Sequence, residues 1–421
     1  MKIFIETLGC KVNTYESEVI KEEFLRNGYE LADNLSDANV IVVNTCSVTN
    51  QSDAKSRKVI RNARKNNKNA ILVVCGCSSQ NHQDELKDLG ADILIGNKDK
   101  SKIFDYVNNY DNKQIINYYN MINTDFEKMS LDNYSERTRA FVKIQDGCNN
   151  YCSYCIIPYL RGTIRNKDLN DAINEINTLV NNGFKEIVLT GIHTGSYPEL
   201  VKLIQEISKN DKLERIRISS IEATEINDEF LKELKNNNKI CNHMHIPVQA
   251  ACDNTLKKMN RKYDMNKFKE IINKIREVRP DINITTDLIV GFPTETKEDF
   301  LESYNNAKEI KFGKIHVFPY SKRDGTVAAK MKSIVTDAEK KERTHKMITL
   351  SNKLENEYYN KFIDKTLSVL VEEVFDKYCT GHTDNYIKVI INKKLEHNKF
   401  YNVKIIKVDN CNVYGEVEQY I

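Results

Sequence analysis

Three cysteines within eight residues, Cys148-Asn-Asn-Tyr-Cys152-Ser-Tyr-Cys155, form the densest group of metal-competent side chains in this 421-residue chain. Thiolates spaced C-x3-C-x2-C can wrap one metal centre without help from a long loop. Structural zinc is closed by four protein ligands, and the run has neither the paired C-x2-C hooks of zinc ribbons nor a fourth Cys or His nearby. A fully protein-ligated [4Fe–4S] cluster uses four cysteines; one held by three leaves an iron open to a small molecule. The residues favour that open cluster, with a structural zinc or a fortuitous trio as the alternatives.

Three more cysteines occupy equivalent places in the N-terminal region: Cys10 after the run Lys2–Glu6, Cys46 after Val40–Asn44, and Cys77 after the run ending at Cys75. In an open parallel sheet, ligands gather at the carboxyl ends of strands, so thiols 36 and 31 residues apart can converge. Each alone reads as an ordinary buried thiol; together they read as a second cluster. Cys75 still lies in its strand and is assigned to packing. Cys241, Cys252, Cys379 and Cys411 have no partner at ligand spacing and read as structural.

The elements that must position these thiols fall into three regions and a linker. Residues 1–112 alternate β-branched runs (Lys2–Glu6, Val40–Asn44, Ile71–Cys75, Asp92–Ile95) with helical, charged stretches such as Glu16–Asn27 and Lys55–Asn66. That is the pattern of an α/β doubly wound parallel sheet. Residues 113–134 read as a linker lying against a domain through Ile115, Ile116, Met121 and Ile122. Residues 135–362 repeat the alternation, with strands at Ala140–Gln145, Ile187–Thr190, Arg215–Ser219, His243–Ile246, Ile284–Val290 and Ile315–Tyr320. Right-handed crossovers curl about six such units into a partial (β/α)6 barrel. Residues 363–421 carry short strands (Leu367–Val374, Tyr386–Ile391, Asn402–Val408, Val413–Val417) punctuated by Gly381, Asn392, Asn410 and Gly415, the pattern of a small antiparallel β-barrel.

Lys and Arg number 63 against 60 Asp and Glu, a net charge of +3, which argues against a uniformly basic nucleic-acid coat but not against a local patch. No apolar run approaches the roughly 18 residues of a membrane span. The start, MKIFIETLGC, lacks the features of a signal peptide. A cytoplasmic protein is expected, in which eleven reduced cysteines point to metal or catalysis rather than disulfides.

The Cys148 run, at the end of the first strand of a β/α barrel, resembles the radical S-adenosylmethionine (SAM) superfamily. Nearly the whole chain resembles the methylthiotransferases within it. The matching stretches are Thr7-Leu-Gly-Cys-Lys-Val-Asn13, Asn44-Thr-Cys-Ser-Val48, Gly76-Cys77, Ile156-Ile-Pro-Tyr159 with Arg161-Gly162, Arg261-Lys-Tyr263, and Thr286-Asp-Leu-Ile-Val-Gly-Phe-Pro293. The first of these, with Leu189-Thr-Gly-Ile-His-Thr-Gly195 and Ser219-Ser-Ile-Glu-Ala-Thr-Glu225, looks like the branch acting on N6-threonylcarbamoyladenosine (t6A) in tRNA. The isopentenyladenosine branch usually begins Tyr-Gly-Cys-Gln-Met-Asn, which is absent here.

The resemblance implies a cluster domain, a radical SAM domain and a C-terminal TRAM domain. It implies two [4Fe–4S] clusters, one on Cys148, Cys152 and Cys155 that cleaves SAM to a 5′-deoxyadenosyl radical, the other on Cys10, Cys46 and Cys77 that carries sulfur. The product is the 2-methylthio form of t6A at position 37, beside the anticodon. By position, Tyr154, Thr190, Gly191, Glu222 and Gln249 are expected to hold SAM. The expected partners are tRNA carrying t6A, a flavodoxin- or ferredoxin-like electron donor and a sulfur donor of unspecified kind; a monomer is expected. The competing readings are methylthiolation of isopentenyladenosine or of a ribosomal protein, and a zinc-stabilised RNA-binding protein.

The chain departs from the family at Ala250-Ala-Cys252 (commonly Ser-Gly-Ser), where Ala251 adopts positive φ less readily than Gly, at Thr294 (usually Gly) and at Ser78-Ser79 (usually Tyr-Ala). For RNA, residues 365–421 hold eight basic and eight acidic residues, leaving a patch of Lys393, Lys394, Lys399 and Tyr386. A stronger candidate is the stretch 54–83, free of acidic residues, with Lys55, Arg57, Lys58, Arg61 and Arg64, followed by Lys65 and Lys68. The target base is expected to leave its stack to reach a buried radical. Met244, Phe292 and Phe318 are expected to be core packing rather than a base-stacking box.

Overall fold

The computed structural model describes residues 1–134 and 137–420; the expected start of the central region, at 135, lies outside the described residues. The β-branched runs of the N-terminal region form β1 (Lys2–Thr7), β2 (Glu30–Leu31), β3 (Val40–Thr45), β4 (Ile71–Gly76), β5 (Ile93–Ile95) and β6 (Ile115–Asn117). They pair in parallel in the order β2-β1-β3-β4-β5-β6. Both faces are covered. Ile3, Val40, Val42 and Val73 pack with Ile20 and Phe24 of the helix Lys11–Arg26, while Ile41, Val43, Leu72 and Val74 pack with Ile60 and Ala63 of the helix Asn50–Asn66. Strand order reverses between β1 and β3, which opens a crevice at their carboxyl ends. The stretch 113–134 does more than link: its Ile115–Asn117 is the sixth strand, registered against Ile93–Ile95.

The central region has six parallel strands in chain order: β7 (Arg139–Lys143), β10 (Glu186–Thr190), β11 (Arg215–Ile218), β12 (His243–His245), β13 (Asn283–Val290) and β14 (Lys314–Pro319). They form two three-stranded sheets joined through the parallel bridge Ile216↔Ile240, so the sheet curves into a partial barrel. Helices such as Leu169–Asn181, Leu200–Ser208 and Met265–Val278 cover its outside with Ile176, Leu179, Leu203, Ile204, Phe268 and Ile272. A two-residue pair, β8 (Gln145–Asp146) with β9 (Arg165–Asn166), ties the ends of the loop that carries Cys148, Cys152 and Cys155. Gly162, with φ +75°, lets that loop close: a Cβ there would stand 1.8 Å from the Met121 carbonyl oxygen.

The helix Asp337–Asn360, opened by a Thr336/Glu339 capping box, leads to a closed barrel of β15 (Thr366–Val374), β16 (Cys379–Thr383), β17 (Lys388–Ile391), β18 (Phe400–Asp409) and β19 (Asn412–Tyr420). Two points differ from the expected tail. Cys379–Thr383 is a fifth strand; its Gly381 is no turn but a close approach, with space for a Cβ filled by the Leu370 carbonyl oxygen at 2.1 Å. One pairing, β17 with β19, is parallel, which is what closes the barrel.

Candidate active site

Both cysteine groups stand at carboxyl ends of parallel strands, and the two modules meet there. Cys10 caps the helix Lys11–Arg26 just after β1, Cys46 follows β3, and Cys77 opens a short helix after β4. A Cβ on Gly9 would stand 2.8 Å from Cys46 Sγ, so only glycine lets these loops approach so closely, and its φ of +104° is one glycine adopts readily. Cys77 packs against Ile156 and Leu160 of the barrel's cysteine loop, and Asn97 Nδ2 bridges the modules, 3.4 Å from Cys77 Sγ and 3.0 Å from the Leu160 carbonyl oxygen. Burial pushes the Cys46 thiol up to about 11 and the Cys155 thiol to about 12.

A cavity of about 370 Å³ opens between the modules. Cys148, Cys152 and Cys155 line it, as do Val48 and Thr49, two and three residues beyond Cys46. Of the residues expected to hold SAM, Tyr154, Glu222 and Gln249 are in this wall. Thr190 and Gly191 are not: Thr190 is buried with its hydroxyl on Ser219 Oγ at 3.1 Å, Gly191 packs against Gln145, and their loop gives Ile192 and His193 to the wall instead. The left-handed residue of the Gln249–Cys252 turn is Gln249 (φ +62°), not Ala251; Gln249 is held by backbone hydrogen bonds to Asp287 and Ile289. Phe318 is 45% exposed and lines the cavity, a correction to its expected place in the core, whereas Met244 and Phe292 are buried there.

Three wall residues had no role assigned from the sequence. Arg261 forms an ion pair with Glu222 and donates to Cys152 Sγ at 3.5 Å and to the Pro247 carbonyl oxygen at 3.2 Å. His193 Nε2 lies 2.5 Å from Glu225 Oε1. Arg323 crosses from the barrel to the other module, donating to Asp53 at 2.5 Å, Asn50 at 2.8 Å and Ser47 at 2.7 Å. Arg323 Nε and the Tyr320 hydroxyl are buried without a hydrogen-bond partner among the described residues, so the wall keeps donors for a ligand. Arg261 could have been found from the quoted Arg261-Lys-Tyr263 stretch, and His193 with its partner Glu225 from the quoted Leu189–Gly195 and Ser219–Glu225 stretches; Arg323 joins distant segments that carry no local pattern.

The donor set suits a cluster. Soft thiolates dominate, and nitrogen donors from Asn97 and Arg261 approach the sulfurs as they do around iron–sulfur centres. Among the described residues, no three Cys, His, Asp or Glu side chains are close enough to hold a single metal ion.

The RNA candidates divide. Arg64 is occupied by Asp92 at 2.5 Å and by the carbonyls of Gly90, Lys68 and Ala70, and Arg57 pairs with Glu85 at 3.3 Å. Lys55, Lys58 and Arg61 are exposed and without an ion-pair partner among the described residues. In the tail, Lys399 pairs with Glu396 at 2.5 Å, and Tyr386 is turned into the barrel floor, stacked on His243 and His382 with ring centroids 4.8 Å apart in each case. It is not part of an RNA-facing patch.

The profile of the Radical SAM superfamily matches residues 142–307, and that of the Uncharacterized protein family UPF0004 matches residues 2–96. A Bacillus subtilis protein named threonylcarbamoyladenosine tRNA methylthiotransferase MtaB is 43% identical over 96% of this chain and 94% of its own length. This chain belongs to the radical SAM methylthiotransferase family. The methylthiotransferase is also 34% identical to the tRNA-2-methylthio-N(6)-dimethylallyladenosine synthase of Clostridium tetani, over 98% of this chain and 95% of that protein. It shares its fold with the radical S-adenosylmethionine methyltransferase TsrM of Kitasatospora setae (TM-score 0.56, 14% identity, 76% of this chain and 71% of that one).

Proposed function

We propose that this methylthiotransferase converts t6A at position 37 of tRNA to its 2-methylthio derivative, and that its cluster ligands are Cys10, Cys46 and Cys77 on one side and Cys148, Cys152 and Cys155 on the other. The observation that carries the reading is the cavity between the modules, where the loop after Cys46 and the Cys148–Cys155 loop share one wall. The threonylcarbamoyl name of the 43% identical relative supports the choice of base. Two [4Fe–4S] clusters and SAM supply the radical, the sulfur and the methyl group.

The chain's own side chains bind, orient and exclude water. Glu222 and Arg261 lock each other beside Cys152, Gln249 and Tyr154 form the SAM side, and Ile157, Ile192, Ile289 and Pro247 keep the wall apolar. Lys55, Lys58 and Arg61 project from a 17-residue helix that starts one residue after cavity-lining Thr49; at about 1.5 Å per residue they spread over about 9 Å of its axis, a short rail for phosphates. The proposed division keeps a central unit of about 135–362 and a C-terminal unit of about 363–421, and carries the N-terminal unit past 112 to take in the strand Ile115–Asn117, with the remainder of 113–134 joining it to the centre. No helix among the described residues is long and apolar enough to cross a membrane. A cytoplasmic monomer served by a flavodoxin- or ferredoxin-like donor completes the proposal.

Mass spectrometry of tRNA nucleosides from cells with and without the gene tests it. Loss of 2-methylthio-t6A is the expected result. Loss of the isopentenyl analogue alone would overturn the choice of base. Anaerobic reconstitution giving about eight irons per chain is expected for two clusters, and tight zinc on the same thiols would overturn the enzyme reading.

A further inference from the structure

Beneath the cavity the barrel lumen is polar, and its three arginines are held by two carboxylates, Glu186 and Glu372. Arg217 Nε donates to Glu186 Oε1 at 2.6 Å, Arg215 lies 3.6 Å from the other Glu186 oxygen, and Arg139 reaches Glu372 at 3.1 Å. Higher up, Asp287 lines the cavity and stands 3.4 Å from His245 Nε2, whose ring lies 5.7 Å from that of His316.

One ammonium is unmatched. Lys11 opens the helix Lys11–Arg26, which lies against β7 at the open edge of the barrel. One turn further along, Glu16 accepts from Lys143 of β7 at 3.0 Å and fixes that end of the helix. The half-buried Lys11 side chain is within electrostatic reach of Asp287, Tyr386, Arg139 and Arg217, and it makes no hydrogen bond or ion pair among the described residues. With two guanidiniums beside it and the Asp287 carboxylate 3.4 Å from His245, this half-buried ammonium gains from a further anion.

The substrate chemistry says which anion. In adenine, a single ring nitrogen separates carbon 2 from the carbon bearing N6, while N9, carrying the ribose and the RNA, lies on the opposite side. Turning carbon 2 to the cysteine wall therefore sends the RNA outward and the N6 substituent inward, toward the lumen. In t6A that substituent ends in a carboxylate. We propose that the Lys11 ammonium pairs with this carboxylate and so selects the threonylcarbamoyl nucleoside over those with neutral N6 groups. The inference rests on the t6A reading above.

The test uses the full iron-loaded chain and two anticodon stem-loop RNAs, one carrying t6A and one carrying its primary amide, which is neutral and of equal size. Equilibrium binding is measured for the wild-type chain, Lys11→Gln and Lys11→Arg, each with its iron content determined. The wild-type chain is expected to prefer the acid by about 10- to 100-fold, the range of a charge-assisted hydrogen bond. Lys11→Gln should bring the two RNAs within about threefold by weakening the acid alone, and Lys11→Arg should keep the preference. In turnover, Lys11→Gln should raise KM for the t6A RNA more than it lowers kcat. Equal weakening of both RNAs, or an undiminished preference in Lys11→Gln, overturns the inference while leaving the t6A reading intact. A wild-type chain that turns over isopentenyladenosine RNA and not t6A RNA overturns the reading itself.

Discussion

Replacing Glu16 by glutamine should loosen the seam between the two modules that enclose the cavity. Glu16 is fully buried and accepts from Lys100 at 2.5 Å, Lys143 at 3.0 Å and Arg161 at 3.1 and 3.3 Å. Burial works to raise its pKa, but Arg161, Lys100 and Lys143 together hold the carboxyl well below the usual carboxylate range. The amide keeps the shape, so no cavity forms and the loss is electrostatic. Arg161 retains Asp146 at 3.0 Å and Asn13 at 2.7 Å, and Lys143 retains Asp146 at 3.4 Å. With the amide nitrogen in the place of Glu16 Oε2, Lys100 is left among the described residues with Asn44 Oδ1 at 3.3 Å. Removing one partner of a buried pair costs about 3–5 kcal/mol, a large share of a total stability of about 5–15 kcal/mol. A three-module chain does not melt in one step, so the assay is native-state hydrogen exchange at the helix Lys11–Arg26. A loss of about 4 kcal/mol appears there as a fall in protection of roughly a thousandfold. Because the surplus charge does the damage, Lys100→Met in the Glu16→Gln background should restore at least about 1 kcal/mol, although alone it destabilises. A fall in protection of less than about tenfold, or a Lys100→Met change that adds to the damage, would refute the reasoning.

Cys152→Ala is expected to abolish SAM cleavage to 5′-deoxyadenosine, whereas Cys46→Ala should keep cleavage and lose methylthiolation; full turnover by the second variant would remove the sulfur-carrying role of its site. At Asp53, burial works to raise the pKa, but hydrogen bonds from His82, Arg323 and Ser47 bring it to about 2. A depressed folded-state pKa stabilises above the ordinary value near 4 and is lost as pH falls through about 2, so the Asp53–Arg323 seam should weaken by about 2 kcal/mol over that window. Limited proteolysis between pH 5 and pH 2 should show this acid sensitivity in the native chain and not in Asp53→Asn; identical profiles would exclude it. Removing two phosphate contacts by Lys58→Ala with Arg61→Ala should make the slope of log affinity for tRNA against log salt shallower by up to about 2; an unchanged slope would place the RNA elsewhere.

How much of this was legible depended on whether the information was local. Period-2 and period-3.6 patterns follow from which face of an element is buried, so Val40–Thr45, Ile71–Gly76 and all six barrel strands could be read directly. Cys379–Thr383 could not: it is a strand because Gly381 lets two backbones touch, a property of its neighbour Leu370 rather than of its own polarity. Ile115–Asn117 is three residues at a sheet edge, too short for any period to show. The same division runs through the site. Cysteines at strand ends announce themselves, since the fold class alone says where such ends gather. Arg57 and Arg64 look the same in sequence as Lys58 and Arg61, yet the first two are spent on Glu85 and Asp92 and the other two are not. Arg323, 270 residues from its partner Asp53, has no signature until two modules are placed together. The cavity is therefore a property of the seam and not of either module. Each supplies a cysteine group that its own strand order would position unaided, but the wall between them is held by contacts across the seam such as Arg323–Asp53, Glu16–Lys143 and Asn97–Leu160. A substitution in any of those three should disturb the cavity before it disturbs either fold.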